Sequence, residues 1–481
     1  MTAACTTVGP DYRIPQEAAI NRSAAAAPFI GAHNDAFSVS PLPPHWWRLY
    51  HDQTLDRLVD QSLAANTDLR IAAANLARAR AVMQETETAG YPAAGISAAP
   101  GYGRPSAAAK GLPNPLQDSW SHDAGVNISY QVDLFGKIAR AVEAAGDDTQ
   151  AAQAAYDLVR VTVAADTARA YADACSAGRQ IVVAQGSVDL QQAFVQLTDR
   201  RVHAGRGTAL DSSRARSQLE QLRAVLPTLE AQRRTALYRL SMLIGEMPGV
   251  LPQGVEQCNT APRLQAMIPV GDGAALLRRR PDIRQAERGL AGATARIGVA
   301  TADLYPSISL GLSAGSTGTL AQFGAANAFR WGLGPLISWT FPSTGSAHSR
   351  IAQAEAGTAA ALAHFDATVL NALRESESAL TVYARELDRN ASLKAARDQS
   401  AIASQQARTL YQYGRTDFLT TLDTDRTLAV AESALAASDA QLATDQVALF
   451  LALGGGWEQE SAHGAPANEA HAASRDLKNG Y

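Results

Sequence analysis

The sequence predicts a mainly α-helical protein with a smaller β portion, built by duplicating one helix, β-hairpin and long-helix-hairpin unit. Three observations predict it. First, the chain repeats itself: Asp68-Leu-Arg, Tyr91-Pro92 and Gly101 recur as Asp282-Ile-Arg, Tyr305-Pro306 and Gly315, at a constant offset of 214. Farther along, Gly205-Arg206 and Leu210 recur as Gly414-Arg415 and Leu419, at an offset of 209, so small insertions fell between blocks of one duplicated unit. Second, two stretches, about 137–203 and 346–413, contain no proline in a chain where roughly one residue in five is Ala, the best helix former. Third, each half carries two segments of about ten residues that alternate apolar with small or polar, the period of a strand.

The elements follow in order. Residues 1–50 form an extended N-terminal segment, 51–262 and 263–457 are the two repeats, and 458–481 is an Ala-, His- and Asn-containing tail expected to be disordered. Each repeat opens with a helix carrying a heptad seam. In the first, the seam runs Leu55, Leu58, Ser62, Ala65, Leu69, Ala72, Leu76, Ala79, Met83; in the second, Ile283, Ala286, Leu290, Ala293, Ile297, Ala300, Leu304. Tyr-Pro ends both helices, because proline cannot continue one.

Strands are expected at about 94–104 and 124–134, then at about 307–316 and 328–341, joined by turn-rich loops. Their length and alternation fit tilted transmembrane strands. Soluble hairpins fit the same pattern, so alternation alone leaves both readings open. Next in each repeat comes the proline-free helix, which at 1.5 Å per residue reaches about 95–100 Å. Gly205 and Gly414 end these helices, and a return helix of about 35 residues follows in the second half. Two short helices laid end to end match one long one. The expectation is a rod with a four-stranded sheet at one end, hairpin turns at the other, and the stretch Pro227 to Pro269 near the waist. A four-stranded sheet has two edges and no interior. In lipid such edges survive only in a closed barrel, so several copies are expected to close it together.

Composition narrows the function. The formal net charge is −4 over 481 residues, and only four of the 42 basic residues are lysines, so no polycationic surface marks a nucleic-acid binder. No run of 18 apolar residues suggests a membrane-crossing helix, which leaves a β-barrel open. Nine histidines form no metal-binding pair on a helix, and Gly454-Gly-Gly456 lacks the Lys-Ser/Thr of a phosphate loop, so no cofactor, metal or catalytic residue is expected. Cys5, Cys175 and Cys258 are widely spaced. They suggest neither a zinc site nor a disulfide framework, and Cys175 reads as a small buried residue within a helix. No basic or apolar run precedes Cys5, so any export signal is expected upstream of the given start.

Cys5-Thr-Thr-Val-Gly-Pro-Asp-Tyr12, Trp46-Trp47 and the duplicated Asp-(Leu/Ile)-Arg and Tyr-Pro elements together resemble the TolC-like outer-membrane efflux factors, in particular the NodT/OprM-type lipoproteins of RND efflux systems. The resemblance covers about 5–457. It implies a homotrimer in which a twelve-stranded transmembrane β-barrel, four strands per protomer, continues as an α-helical barrel into the periplasm. It implies a non-enzymatic exit duct of a tripartite pump, working with a periplasmic adaptor protein and an inner-membrane RND-type transporter. A duct for metal ions or for type I protein secretion, and a periplasmic coiled-coil scaffold with no pore, are the alternatives.

The resemblance also assigns residues. Cys5 resembles the lipidated cysteine of bacterial lipoproteins, which implies an acyl anchor in the outer membrane. Leu419-Thr-Thr-Leu-Asp423-Thr-Asp-Arg426 resembles a stretch just inside the periplasmic entrance, and Tyr411 matches a position of the gate network. Leu419, Asp423 and Arg426 share a helix face by their spacings of 4 and 3. In a trimer Asp423 would ring the axis and Leu419 would form an apolar ring, unless Asp423 and Arg426 are only a solvated pair. Asp425 adds a charge where the family often has Gln. Gly205, Arg206 and Thr208, with Gly414, Arg415 and Thr416, form the two hairpin turns that would meet the adaptor. The glycines are expected in the left-handed capping conformation, and Thr208 or Asp417 as helix caps.

Overall fold

A computed structural model describes residues 7–108, 111, 113–250, 254–264, 266–339 and 344–455. Cys5 and the segment 458–481 lie outside them. The helices are α1 (Gln53–Ala65), α2 (Thr67–Thr88), α3 (Lys137–His203), α4 (Ala209–Arg223), α5 (Leu226–Leu243), α6 (Gly273–Arg279), α7 (Pro281–Ala302), α8 (Thr344–Gln412) and α9 (Phe418–Ala452). The strands are β1 (Phe37–Ser38), β2 (Ala93–Gly103), β3 (Ser119–Val132), β4 (Ile268–Pro269), β5 (Ser307–Thr319) and β6 (Phe329–Ser338). The chain forms two compact units. Among the described residues, one contains those within 7–18, 73–154 and 283–368; the other contains those within 19–72, 155–282 and 369–455. Each unit draws on both sequence repeats.

The first unit holds an antiparallel sheet in the order β2-β3-β5-β6. Its register aligns Ile96 with Val126, Ile128 with Leu312 and Leu312 with Leu333, so one face is aliphatic and aromatic. The opposite face aligns Ser97 with Gly125, Gly125 with Gly315, and Ser313 with Gly332. Strands alternate faces with period 2, so a polar face and an apolar face come from the same residues that alternate in the sequence. Tyr102, Trp120 and Trp331 stand toward the loop-joined ends of the strands, and Trp339 at the opposite end, where aromatic girdles flank a membrane-spanning band. β3 begins at Ser119, inside the stretch expected as loop, and β5 runs on to Thr319; residues 340 and 341 of the expected last strand lie outside the described residues.

The N-terminal stretch of this unit is strapped to α3. Val8 N–H donates to Phe135 O at 3.1 Å, and the Arg140 guanidinium holds Val8 O, Gly9 O, Asp11 and Glu143.

In the second unit, residues before α1 are not merely extended. Phe29, Phe37, Leu42, Trp46 and Trp47 are buried, and the Trp46 ring stacks on Phe450 of α9 at 4.5 Å. Short turns and the β1–β4 parallel pair place them there.

Three sequence expectations need correction. The first heptad helix is two helices, α1 and α2, broken at Asn66. Its Oδ1 accepts from Asp68 N–H at 2.8 Å and its Nδ2 donates to Leu243 O at 3.1 Å, so one side chain caps α2 and ties the break to α5. In the first repeat the return path is also broken, into α4 and α5. Pro227 lies in the first turn of α5, where its missing N–H costs nothing, and so does not end the helical path. Third, Cys175 and Cys258 form a disulfide across a sequence separation of 83. Cys175 is buried on α3, and Gly178, one turn on, leaves room for the incoming strand of chain: a Cβ there would lie 2.3 Å from Cys258 O. Sequence spacing could not reveal this pairing, because the fold makes the approach.

Candidate functional site at the helical hairpin turns

Both long helices end alike. Arg206 N–H donates to Arg201 O at 2.8 Å and Gly205 N–H to Val202 O at 3.0 Å; Arg415 N–H donates to Leu410 O and Gly414 N–H to Tyr411 O at the same two distances. This is the six-to-one and five-to-two pattern that needs a left-handed residue, and both glycines have φ +70°. Nothing lies within 4 Å of a Cβ built at either glycine, so backbone conformation and not crowding requires them.

The return helices begin with side-chain caps. Thr208 and Asp211 form a reciprocal capping box on α4. On α9, Asp417 accepts from Thr420 N–H at 2.6 Å, and this bond holds its carboxyl below the usual carboxylate range. Arg206, Thr208 and Arg415 are exposed and Thr416 is half-buried, so the turns are rigid and accessible together.

Behind the turns lies a small core of Val188, Phe194, Val195, Ala215, Leu219, Tyr411, Phe418 and Leu422. Phe194 stacks on Phe418 at 5.5 Å. The Arg201 guanidinium lies 4.2 Å from the Tyr411 ring centroid and donates to Tyr411 O at 2.6 Å, which joins the end of α3 to the end of α8.

The gate candidates divide here. Leu419 is 55% exposed and lies with exposed Asp423 and Arg426 on one face of α9. Tyr411 is 5% exposed and belongs to the core between the hairpins, so its side chain does not join the other three within one chain. Among the described residues neither Asp423 nor Arg426 makes an ion pair, and the two do not pair with each other.

Asp425, noted in the sequence only as an extra charge, is 6% exposed. Its Oδ1 accepts from Ser404 Oγ at 2.6 Å and Arg408 Nε at 2.8 Å, while Oδ2 is buried without a partner. In the first hairpin, Asp199 accepts from Ser212 and from Arg216, and these two bonds hold its carboxyl below the usual range. Sequence reasoning missed both pairs and the Arg201 contact. Aligning the repeat column by column finds the pairs, since 408−199 and 425−216 both equal the 209 offset of the turns.

Comparisons with known proteins agree with this architecture. A family model described as outer membrane efflux protein matches residues 58–246 and 274–455. Nodulation protein T of Rhizobium leguminosarum bv. trifolii is 28% identical over 416 residues, covering 86% of this chain and 88% of that protein. The cation efflux system protein CusC of Escherichia coli is 27% identical over 416 residues, again covering 86% and 88%. The solved structure of the outer-membrane channel OprN is 36% identical, with a TM-score of 0.87 over 94% of this chain and 100% of that one. Carrying the duplicated hairpins, the two-faced sheet and these matches over most of its length, the chain belongs to the outer membrane efflux protein family, as an efflux channel of the bacterial outer membrane.

Proposed function

We propose that three copies close one passive channel from periplasm to exterior, opened at the hairpin turns by partner contact. The carrying observation is the sheet. Its edge strands β2 and β6 run in opposite directions, each paired on one side only among the described residues, and its two faces differ in polarity. β6 of one copy then pairs antiparallel with β2 of the next. Four strands from each of three copies give a closed barrel with apolar side chains toward lipid and Gly and Ser toward water.

At the hairpin turns, Leu419 and Asp423 from three copies ring the axis. An apolar ring resists wetting and a carboxylate ring favours cations. Arg206, Thr208, Arg415 and Thr416 present the surface for a periplasmic adaptor, and an inner-membrane RND-type transporter supplies cargo. Acylation of Cys5 adds an anchor worth about 0.8 kcal/mol per buried methylene, beside the retention the barrel supplies. Small molecules are the proposed cargo; a metal-cation duct is the second reading, favoured by the likeness to a protein named for cation efflux.

The test is the detergent-corrected mass of the protein extracted from purified outer membranes. A particle of about three times 50.6 kDa supports the channel. A soluble monomer or dimer supports the scaffold reading instead.

A further inference from the structure

We propose that Asp123 and Arg330 form a charge-balanced ring at the extracellular end of the barrel, separate from the periplasmic gate, which keeps the exit from favouring cations or anions. The inference rests on the channel reading for which side of the sheet faces water. On the polar face of the sheet, among the described residues, Asp123 and Arg330 are the charged side chains; the rest of that face is almost all Gly, Ala, Ser, Thr, Asn and Gln. Both lie toward the ends of their strands that loops join, away from the ends that lead to α3 and α8.

The backbone builds a trench for the pair. Arg330 registers with Gly315, and Gly315 with Gly125, so two successive strands present no side chain beside Arg330. A Cβ on Gly315 would lie 2.4 Å from Ala124 O and 2.8 Å from Gly125 Cα, so the strands approach too closely there for any larger residue. Arg330 reaches diagonally across β5 and donates to Asp123 Oδ1 at 2.6 Å. Both side chains stay about half exposed, 45% and 53%, so the pair is wet and its field reaches solution.

In a three-copy barrel the pairs place three carboxylates and three guanidiniums around the exit. Each partner balances the other, and a mobile ion meets a transverse field instead of a net charge. Removing either partner should unmask a ring of one sign. Exposed charges act over about a Debye length, roughly 10 Å at 0.1 M salt, so the effect should fade as salt rises.

The experiment uses the full-length trimer in planar bilayers, with reversal potentials in a KCl gradient and block by hexaamminecobalt(III) added to the loop side. Arg330→Gln should raise the cation-over-anion permeability ratio several-fold and create block by the trivalent cation. Asp123→Asn should move the ratio the other way and create no block. The double variant should return to the parent value. Inserted single variants with unchanged reversal potential and no new block would overturn the charge-balanced ring. If neither single variant inserts but the exchanged pair Asp123→Arg with Arg330→Asp does, the pair serves strand assembly and the proposal fails. A parent chain that forms no trimer in the outer membrane would sink the channel reading itself, a distinguishable outcome.

Discussion

Arg408 on α8 donates to buried Asp425 on α9 at 2.8 Å, and the same two positions of the first repeat hold Asp199 and Arg216, paired at 3.0 Å with the charges exchanged. The duplication thus kept the link between long helix and return helix while reversing its polarity and burying one copy. Breaking a buried pair from one side leaves an uncompensated charge and costs about 3–5 kcal/mol, whereas an exposed pair is worth about 0–1 kcal/mol. Arg408→Ala should therefore lower the thermal midpoint of the solubilised protein clearly more than Arg216→Ala. Equal effects would mean that Asp425 finds another partner.

The disulfide makes a second prediction. Closing a loop of this length stabilises by about 4–5 kcal/mol in the chain-entropy account. Cys258→Ser should lower the thermal midpoint, and reductant should lower that of the parent but not of the variant. Alkylation without reductant should leave Cys175 and Cys258 unmodified; labelling of either in folded protein would contradict the pairing.

Neighbouring positions on β5 test which face meets lipid. Leu310 lies on the apolar face and Ser309 on the polar one. An Arg on a lipid face near midplane costs about 2–4 kcal/mol per copy. Leu310→Arg should block trimer assembly in the outer membrane, and Ser309→Arg should permit it. Normal trimers from Leu310→Arg would reverse or abolish the strand assignment.

At the periplasmic entrance, Asp423→Ala should raise the conductance of isolated trimers, because it removes a carboxylate from each copy at the proposed constriction. Conductance equal to the parent's would remove Asp423 from the gate.

Asp445 supplies the pH dependence. Burial pushes its carboxyl above the ordinary range and Glu386 adds to this, against the opposing Gln441 bond and Arg169 charge. The folded chain then holds the proton more tightly than the unfolded one, so this group disfavours folding as pH rises above the ordinary carboxylate value of about 4. Asp445→Asn should raise the thermal midpoint near pH 7, with the gain vanishing below pH ~4. A gain that grows on acidification would refute this sign.

What was legible in the sequence was local. Gly205 and Gly414 announce left-handed caps, Thr208 and Asp417 announce helix starts, and alternation around Ile128 and Leu310 announces strands, since each depends on residues a few positions apart. The unreadable features depend on distant partners. Tyr411 is buried because Phe194 and Arg201 come from the other hairpin, and Cys175 meets Cys258 because Gly178 leaves a space. Asn66 lies between these cases. Its cap was readable, but the apolar spacing of Leu55 through Met83 continues across it and hides the break.

The division of the chain into compact units that each borrow from both repeats bears on how the protein comes to be folded. A chain delivered from its N-terminus would ordinarily complete one domain before the next emerges. Here the sheet stays without β5 and β6 until more than 300 residues have arrived. The early half must wait with β2 and β3 exposed, which is the condition in which chaperones bind and proteases cut. The demand this places on the cell is a holding time, set by the length of a duplicated gene.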